Sequence, residues 1–449
     1  MTRLFGTDGI RGVANVDLRP PLAYALGRAT ASLLDPGGRL LVGQDTRRSG
    51  DMLAAAIVAG ATSMGVDVHR LGVCPTPALS FVTGDAAYGA GIMVSASHNP
   101  ADDNGLKVLD ARGLKLEDAA EDGLEALMDR AEELSSPTNQ GLGREVDARS
   151  ALDRYVAHRM ALAVRARGGL RVSLDCANGS GGVVAADILA ATGADVRVHF
   201  NDPDGCNINL GCGATAPAAL AELVTRDGSD VGFALDGDAD RCVAVDERGQ
   251  VVDGDQLLGI IALDRLGRAA LEGSTLVVSV LSNGGLAAVV EGRGGTVIRT
   301  PVGDKYILDA MLVYGAGVGG EKSGHVIIRE HATSGDGIVT ALEVLGIMSR
   351  TGRRLGELAA QVPLFPQQQR AIPARHKDLW ETDQPLVDAV RAAQAELAGG
   401  GRILVRPSGT EPALRIMVEG EDASRVLELA DSLAALAAER LNQPIRPEA

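Results

Sequence analysis

The chain has 449 residues, 43 of them Lys or Arg and 59 Asp or Glu, for a formal net charge of −16. A surface that acidic repels nucleic acid and anionic lipid, so neither is expected as a partner, while a local cationic pocket for a small anion stays open. The length suggests about three domains, with two or four also compatible. The start of the chain carries no apolar signal core, and no apolar run is long enough to cross a bilayer.

Short β-rich runs alternate with longer Ala/Leu stretches, the mark of α/β units built on a mostly parallel sheet. A glycine-rich turn, Gly6 to Gly12, carries Arg11. Leu40 to Gly43 reads as a strand, followed by a polar segment with Asp45 and Arg47 and then a helix from Met52 to Met64. Arg11 and Arg47 fit either an active site or a salt-bridged structural loop. Gly91 to Ser95 reads as the next strand, running into Ser95-Ala96-Ser97-His98-Asn99-Pro100 with Lys107 close behind. Residues 134–144 are Ser-, Pro-, Asn- and Gly-rich, like a linker.

Leu170 to Asp175 and Val231 to Leu235 read as buried strands, the second ending in Asp236-Gly237-Asp238-Ala239-Asp240-Arg241. A new block starts near Val251 to Asp255, and a proline-bearing stretch from Gln361 to Ala374 closes it. Inside it lies Gly319-Gly320-Glu321-Lys322-Ser323-Gly324-His325. The last block has a strand from Arg402 to Val405, the loop Arg406-Pro407-Ser408-Gly409-Thr410-Glu411-Pro412 with Arg415 beyond it, and a helix from Ala423 to Leu441. No exact internal repeat is visible. The first three blocks share size and alternation, which fits three related α/β domains plus a smaller C-terminal α+β domain.

Ser97 follows a strand, where parallel α/β domains present ligand-binding loops, and is placed to act as a nucleophile. Taken alone, the segment also fits a polar β-turn. Asp236, Asp238 and Asp240 at alternate positions can converge on one hard cation, the competing reading being a solvated acidic turn. The Gly319 to His325 segment lacks the glycine that a nucleotide-binding loop needs before its lysine, so an NTP site is rejected. Its Glu, Ser and His suit sugar hydroxyls and a proton transfer instead. Arg406, Ser408, Gly409, Thr410 and Arg415 make an anion cradle, or a plain Pro/Gly turn. The five cysteines (Cys74, Cys176, Cys206, Cys212 and Cys242) are scattered. They fit a reducing cytoplasm, and the close pair Cys206 and Cys212 lacks the second pair of a structural zinc site.

These four motifs in this order resemble the α-D-phosphohexomutase superfamily over nearly the whole chain. Phe5 to Gly12, Val302 to Tyr306, Ser334 to Ile338 and Arg415 to Gly420 look like its phosphoglucosamine mutase branch. The resemblance implies four domains around a central cleft. They would span 1–145 with a phosphoserine loop, 146–253 with a metal-binding loop, 254–366 with a sugar-binding loop and 367–449 with a phosphate-binding loop. It also implies a covalent phosphate on Ser97, which would join Asp236, Asp238 and Asp240 around Mg²⁺. Glu321 and Ser323 would grip the sugar, and Arg406, Ser408, Gly409, Thr410 and Arg415 the non-reacting phosphate. Lys107, Arg11 and His325 would serve as acid/base or charge-stabilising groups. Ala239 stands where the superfamily commonly has glycine, a change that adds only a methyl.

The implied reaction interconverts glucosamine 6-phosphate and glucosamine 1-phosphate through a bisphosphate, feeding UDP-N-acetylglucosamine and cell-wall precursor synthesis. The partner is then a small hexosamine phosphate, and a homodimer stays open. Phosphoglucomutase or phosphomannomutase activity on the same scaffold is the nearest alternative. A phosphatase using Asp236 as nucleophile is less favoured, because Asp240 sits where that motif wants Thr or Val. So is a non-catalytic sugar-phosphate sensor, because every required position is filled.

Overall fold

The computed structural model describes residues 3–6, 8–35, 37–165, 169–397, 401–408 and 412–442. Gly409 and Thr410 of the expected anion cradle lie outside the described residues. The chain divides into two compact units, one of residues 1–282 and 290–362, the other of residues 283–289 and 363–449.

The first unit holds three sheets. One contains β1 (Ile10–Val13), β2 (Arg39–Gln44), β3 (Asp67–Val73), β4 (Ala90–Val94), β5 (Asp103–Leu109) and β6 (Glu145–Asp147), in the order β1-β5-β4-β2-β3-β6. The next contains β7 (Arg171–Asp175), β8 (Asp195–His199), β9 (Val231–Leu235), β10 (Cys242–Asp246) and β11 (Val251–Val252), in the order β11-β10-β9-β7-β8. The last contains β12 (Thr275–Ser279), β13 (Thr296–Thr300), β14 (Val318–Gly320) and β15 (Val326–Ile328), in the order β13-β12-β14-β15.

One topology recurs in all three. A parallel trio places its first strand in the middle (β4-β2-β3, β9-β7-β8, β14-β12-β13), and the next strand, β5, β10 or β15, adds antiparallel beside the third. The repeat is one of topology, carried by apolar patterning rather than by matched residues. β4, β9, β10 and β12 are buried along their whole length, as strands covered on both faces must be.

The three functional loops of this unit lie at the carboxyl ends of parallel strands, and each leads into an antiparallel strand. Residues 95–102 join β4 to β5, residues 236–241 join β9 to β10, and residues 321–325 join β14 to β15. The expected linker at 134–144 runs into β6, which pairs in parallel with β3, so the first sheet extends across the 145/146 boundary.

The second unit contains β16 (Gln367–Pro373), β17 (Arg402–Pro407) and β18 (Ala413–Glu419) in the order β16-β18-β17, all antiparallel. Helices Gln384–Glu396 and Ala423–Arg440 pack on it around Leu386, Leu414, Ile416, Val418, Val426 and Leu433. Arg406 lies on β17 and Arg415 on β18.

Among the described residues no helix is long and apolar enough to cross a membrane. Cys74, Cys176, Cys212 and Cys242 are buried and Cys206 is exposed. Burial pushes the thiols of Cys74, Cys176 and Cys212 up to about 12, and thiolate is the reactive form. A thiol reagent at neutral pH should therefore modify one cysteine of the native protein, Cys206, and all five after denaturation. Mass spectrometry of the labelled protein checks this, and rapid native labelling of a second cysteine would contradict it.

Candidate active site

Ser97 is fixed before any substrate arrives. The Ser95 hydroxyl donates to Asp45 Oδ2 at 2.6 Å and accepts from the Ser97 backbone N–H at 2.9 Å. Arg47, paired with Asp45 at 2.9 Å, spends its remaining N–H groups on carbonyl oxygens of the serine loop: Ser97 (3.0 Å), Asn99 (2.8 Å), Asp103 (2.9 Å) and Pro100. Arg47 is thus the structural alternative of the two the sequence allowed, its charge consumed by backbone. Asn209 Nδ2 adds hydrogen bonds to the carbonyls of Ser97 (2.9 Å) and Asn99 (3.1 Å). These donors hold Ser97 in a left-handed conformation, φ +51°, which costs a non-glycine residue about 1–3 kcal/mol and persists only when its surroundings over-determine it. The outcome is a hydroxyl that donates to Asp236 Oδ2 at 2.6 Å.

Asp236, Asp238 and Asp240 are all buried, and one oxygen from each lies within 4.8 Å of the others. A Cβ on Gly237 would come within 2.6 Å of the Ser97 carbonyl oxygen, so the two loops close only over a glycine. Ala239 has φ +57°. Its methyl therefore carries backbone strain as well as volume, more than the sequence pattern implied.

Lys107 on β5 reaches in from the first sheet, 2.9 Å from Asp238, 3.2 Å from Asp8 and 3.8 Å from Asp240. Thr76 donates to the same Asp238 oxygen at 2.5 Å. Oδ1 of Asp238 and Oδ1 of Asp240 are buried and find no hydrogen-bond partner among the described residues. Burial, with Asp240 and Asp238 alongside, pushes the Asp236 carboxyl well above the carboxylate range. Buried acceptors without donors and mutually repelling carboxylates are what a hard divalent cation relieves, so the donor set fits Mg²⁺.

Of the other expected residues of this unit, Arg11 and His325 reach the cluster. Arg11 on β1 donates to Asn99 Oδ1 at 3.0 Å and pairs with Asp8. His325 accepts from the Gly335 N–H at Nε2 (3.0 Å) and turns Nδ1 toward Asp240 (3.7 Å). Glu321 Oε1 accepts from the Gly303 N–H at 3.1 Å. The buried Ser323 hydroxyl has no partner among the described residues.

Two more participants had been given no role from the sequence. Lys115 bridges Asp8 and Asp304, the latter at 2.6 Å. Arg241 lies 3.8–3.9 Å from Asp236 and Asp240. Nε of Arg11 and Nε of Arg241 are buried and make no hydrogen bond among the described residues, although Arg241 Nε pairs with Asp236 and Asp240 at ion-pair distance.

In the second unit, Arg406 and Arg415 face each other across the β17–β18 ladder. Like charges directly opposite destabilise a strand pair. Burial and Arg415 together lower the Arg406 pKa, so an anion between the two guanidinium groups would be stabilising. Ser408 is buried and Lys377 donates to its carbonyl.

Family models described as phosphoglucomutase/phosphomannomutase α/β/α domains I, II and III match residues 2–135, 153–249 and 253–365, and that of the C-terminal domain matches 367–436. The phosphoglucosamine mutase of Moorella thermoacetica is 49% identical over 426 residues, 94% of this chain and 96% of the relative. That of Symbiobacterium thermophilum is 48% identical over 440 residues, 97% of this chain and 98% of the relative. The chain belongs to the phosphoglucosamine mutase family of the α-D-phosphohexomutases. As a phosphohexomutase it is an isomerase that acts on a phosphosugar.

Solved structures agree in fold. A phosphoglucomutase/phosphomannomutase family protein of Burkholderia thailandensis superposes with TM-score 0.83 at 26% identity, covering 99% of this chain and 100% of the other. An N-acetylphosphoglucosamine mutase of Aspergillus fumigatus, in complex with GlcNAc-6P and magnesium, gives 0.66 at 19% identity, covering 98% and 96%.

Asn209→Ala removes one amide from the carbonyls that hold Ser97. It should lower kcat roughly tenfold, the equivalent of about one hydrogen bond, with little change in melting temperature. Steady-state turnover beside a thermal melt checks this, and an unchanged kcat would show that Arg47 alone suffices.

Proposed function

We propose that this phosphohexomutase interconverts glucosamine 6-phosphate and glucosamine 1-phosphate by way of a phosphate carried on Ser97, with Mg²⁺ held by Asp236, Asp238 and Asp240. The observation that carries the chemistry is the Ser97 hydroxyl, 2.6 Å from Asp236 in the triple-aspartate loop. The amino sugar is supported by the names of relatives 45–49% identical over nearly the full chain. Cytoplasmic action suits a biosynthetic enzyme of this kind.

Phosphoryl transfer spreads negative charge over oxygens, so catalysis is mostly positioning and charge stabilisation. Bound Mg²⁺ supplies charge neutralisation at the Ser97 phosphate and makes the serine oxygen a better leaving group. The bond from Ser97 Oγ to phosphorus breaks as one sugar hydroxyl takes the phosphoryl group, the proton of that hydroxyl ending on Ser97 Oγ and a bisphosphate forming; the reverse exchange later returns the other phosphate to Ser97. Burial pulls the Lys107 pKa down, but Asp238, Asp8 and Asp240 more than offset this and raise it above the usual lysine value. Its ammonium is placed to stabilise charge beside the aspartates, 2.9 Å from Asp238. Arg11 and Arg241 offer Nε–H groups that make no hydrogen bond among the described residues to the transferring phosphoryl. Glu321 and Ser323 meet sugar hydroxyls, and Glu321 can take a charge-assisted hydrogen bond from a 2-ammonium group. Arg406, Ser408, Gly409, Thr410 and Arg415 take the phosphate that is not being transferred.

Two measurements test this. Ser97→Ala should lose turnover by several orders of magnitude while folding normally, and intact-mass analysis of the wild type should place a phosphate on Ser97. Near-normal turnover of the alanine variant would refute the phosphoserine. With a bisphosphate primer present, kcat/KM should be highest for glucosamine 6-phosphate among the glucosamine, glucose and mannose 6-phosphates. A preference for glucose or mannose would move the substrate assignment and leave the mechanism in place.

A further inference from the structure

The Ser334 to Ile338 stretch lies wedged against the site. A Cβ on Gly335 would sit 2.6 Å from the Asp240 carbonyl oxygen and 2.5 Å from His325 Cε1. Its N–H donates to His325 Nε2 at 3.0 Å, and two residues on, the Gly337 N–H donates to the Ala239 carbonyl at 3.0 Å. Between them, Asp336 faces away from the cluster. Its Oδ1 caps helix Gly337–Thr351 by accepting from Ile338 and Val339 at 3.0 Å. Its Oδ2 accepts from Tyr155 Oη and Arg159 Nε, both at 3.0 Å.

Tyr155 and Arg159 stand one turn apart on helix Leu152–Ala161, which belongs to the α/β/α domain II segment, whereas Asp336 belongs to domain III. All three are essentially fully buried. Arg159 also donates to the His331 carbonyl at 2.9 Å and lies over the Phe81 and Tyr155 rings. A cap needs only Oδ1. The second carboxylate oxygen is tied to another domain by a buried charge and a buried hydroxyl.

We infer that Arg159 and Tyr155 are positioning residues for the phosphosugar transfer: by gripping Asp336 they press Gly335 onto His325 and fix the orientation of its ring toward Asp240. Neither residue touches the aspartate cluster itself. The chain of contact is Arg159 and Tyr155 to Asp336, along the backbone to Gly335, and through one hydrogen bond to His325. A group that orients a reacting residue can change the rate on the order of 100-fold through a shift of about 1 Å. The inference rests on the placement of His325 in the active site.

The test is a double-mutant cycle on the full-length, Mg²⁺-loaded enzyme, with Arg159→Lys, Tyr155→Phe and His325→Ala. Arg159→Lys keeps the charge without the planar fork, and Tyr155→Phe removes one hydroxyl, so at least one should fold with a wild-type circular dichroism spectrum. That variant should lose kcat by roughly 10- to 100-fold, with KM changed less than about threefold. In the His325→Ala background the same substitution should cost less than about twofold more, because its route of action is gone. A full additional loss in that background would overturn the inference while leaving His325 in the site, and so would an unchanged kcat in the single variants. Full activity of His325→Ala alone would instead remove His325 from the site reading, and the inference with it.

Discussion

Three carboxylates crowded together out of water govern this structure. Like charges about 4 Å apart repel by roughly 4 kcal/mol at the effective dielectric of a protein surface, and burial raises that figure. The chain does not fully neutralise them. Around Ser97, Asp8, Asp236, Asp238, Asp240 and Asp304 face Lys107, Lys115, Arg11 and Arg241, yet Oδ1 of Asp238 and Oδ1 of Asp240 still accept no hydrogen bond among the described residues. A divalent cation would complete those oxygens and add the positive charge that a transferring phosphoryl group requires. Buried carboxylates with unmatched oxygens are a liability to a folded chain, and their presence beside a strained serine is accounted for by a ligand that completes them.

The threefold topology explains how the cluster assembles. Each α/β domain ends its parallel trio with an antiparallel strand, and the turn into that strand carries the reactive residues. A turn between paired strands is anchored on both sides by ladder hydrogen bonds. It can therefore hold Ser97 and Ala239 at positive φ, and Gly324 at φ +90°, where a looser strand-to-helix loop would relax. Flanking main chain then ties the loops down: the Thr76 N–H donates to the Asp238 carbonyl, Gly337 to Ala239, and Cys242 to Gly324, at 2.9–3.0 Å.

Local spacing made part of this legible in the sequence. The alternate aspartates, the serine after an apolar strand and the arginine-bearing turn announce their chemistry within a few residues, and strand Val231–Leu235 was readable to the residue. What escaped was whatever acts across domains. Lys115, Asp304 and Asn209 meet their partners at separations of 107–189 residues, and no periodicity records such contacts. Arg47 was visible as a charge beside a strand, but whether it served a ligand or a backbone depended on the fold of residues 97–103. The antiparallel return after each loop was missed because a buried strand reads the same in either direction.

The central claim is that the three aspartates are completed by a divalent cation, and the most direct measurement is the melting temperature with EDTA and with Mg²⁺. The wild type should melt several degrees higher in Mg²⁺, because an ion that binds only the folded state stabilises it by mass action. Asp236→Asn, which relieves part of the repulsion and removes one ligand, should lose most of that difference. Identical melting of the wild type in EDTA and in Mg²⁺ would mean that the protein balances these carboxylates by itself, and would contradict the claim that a cation completes them.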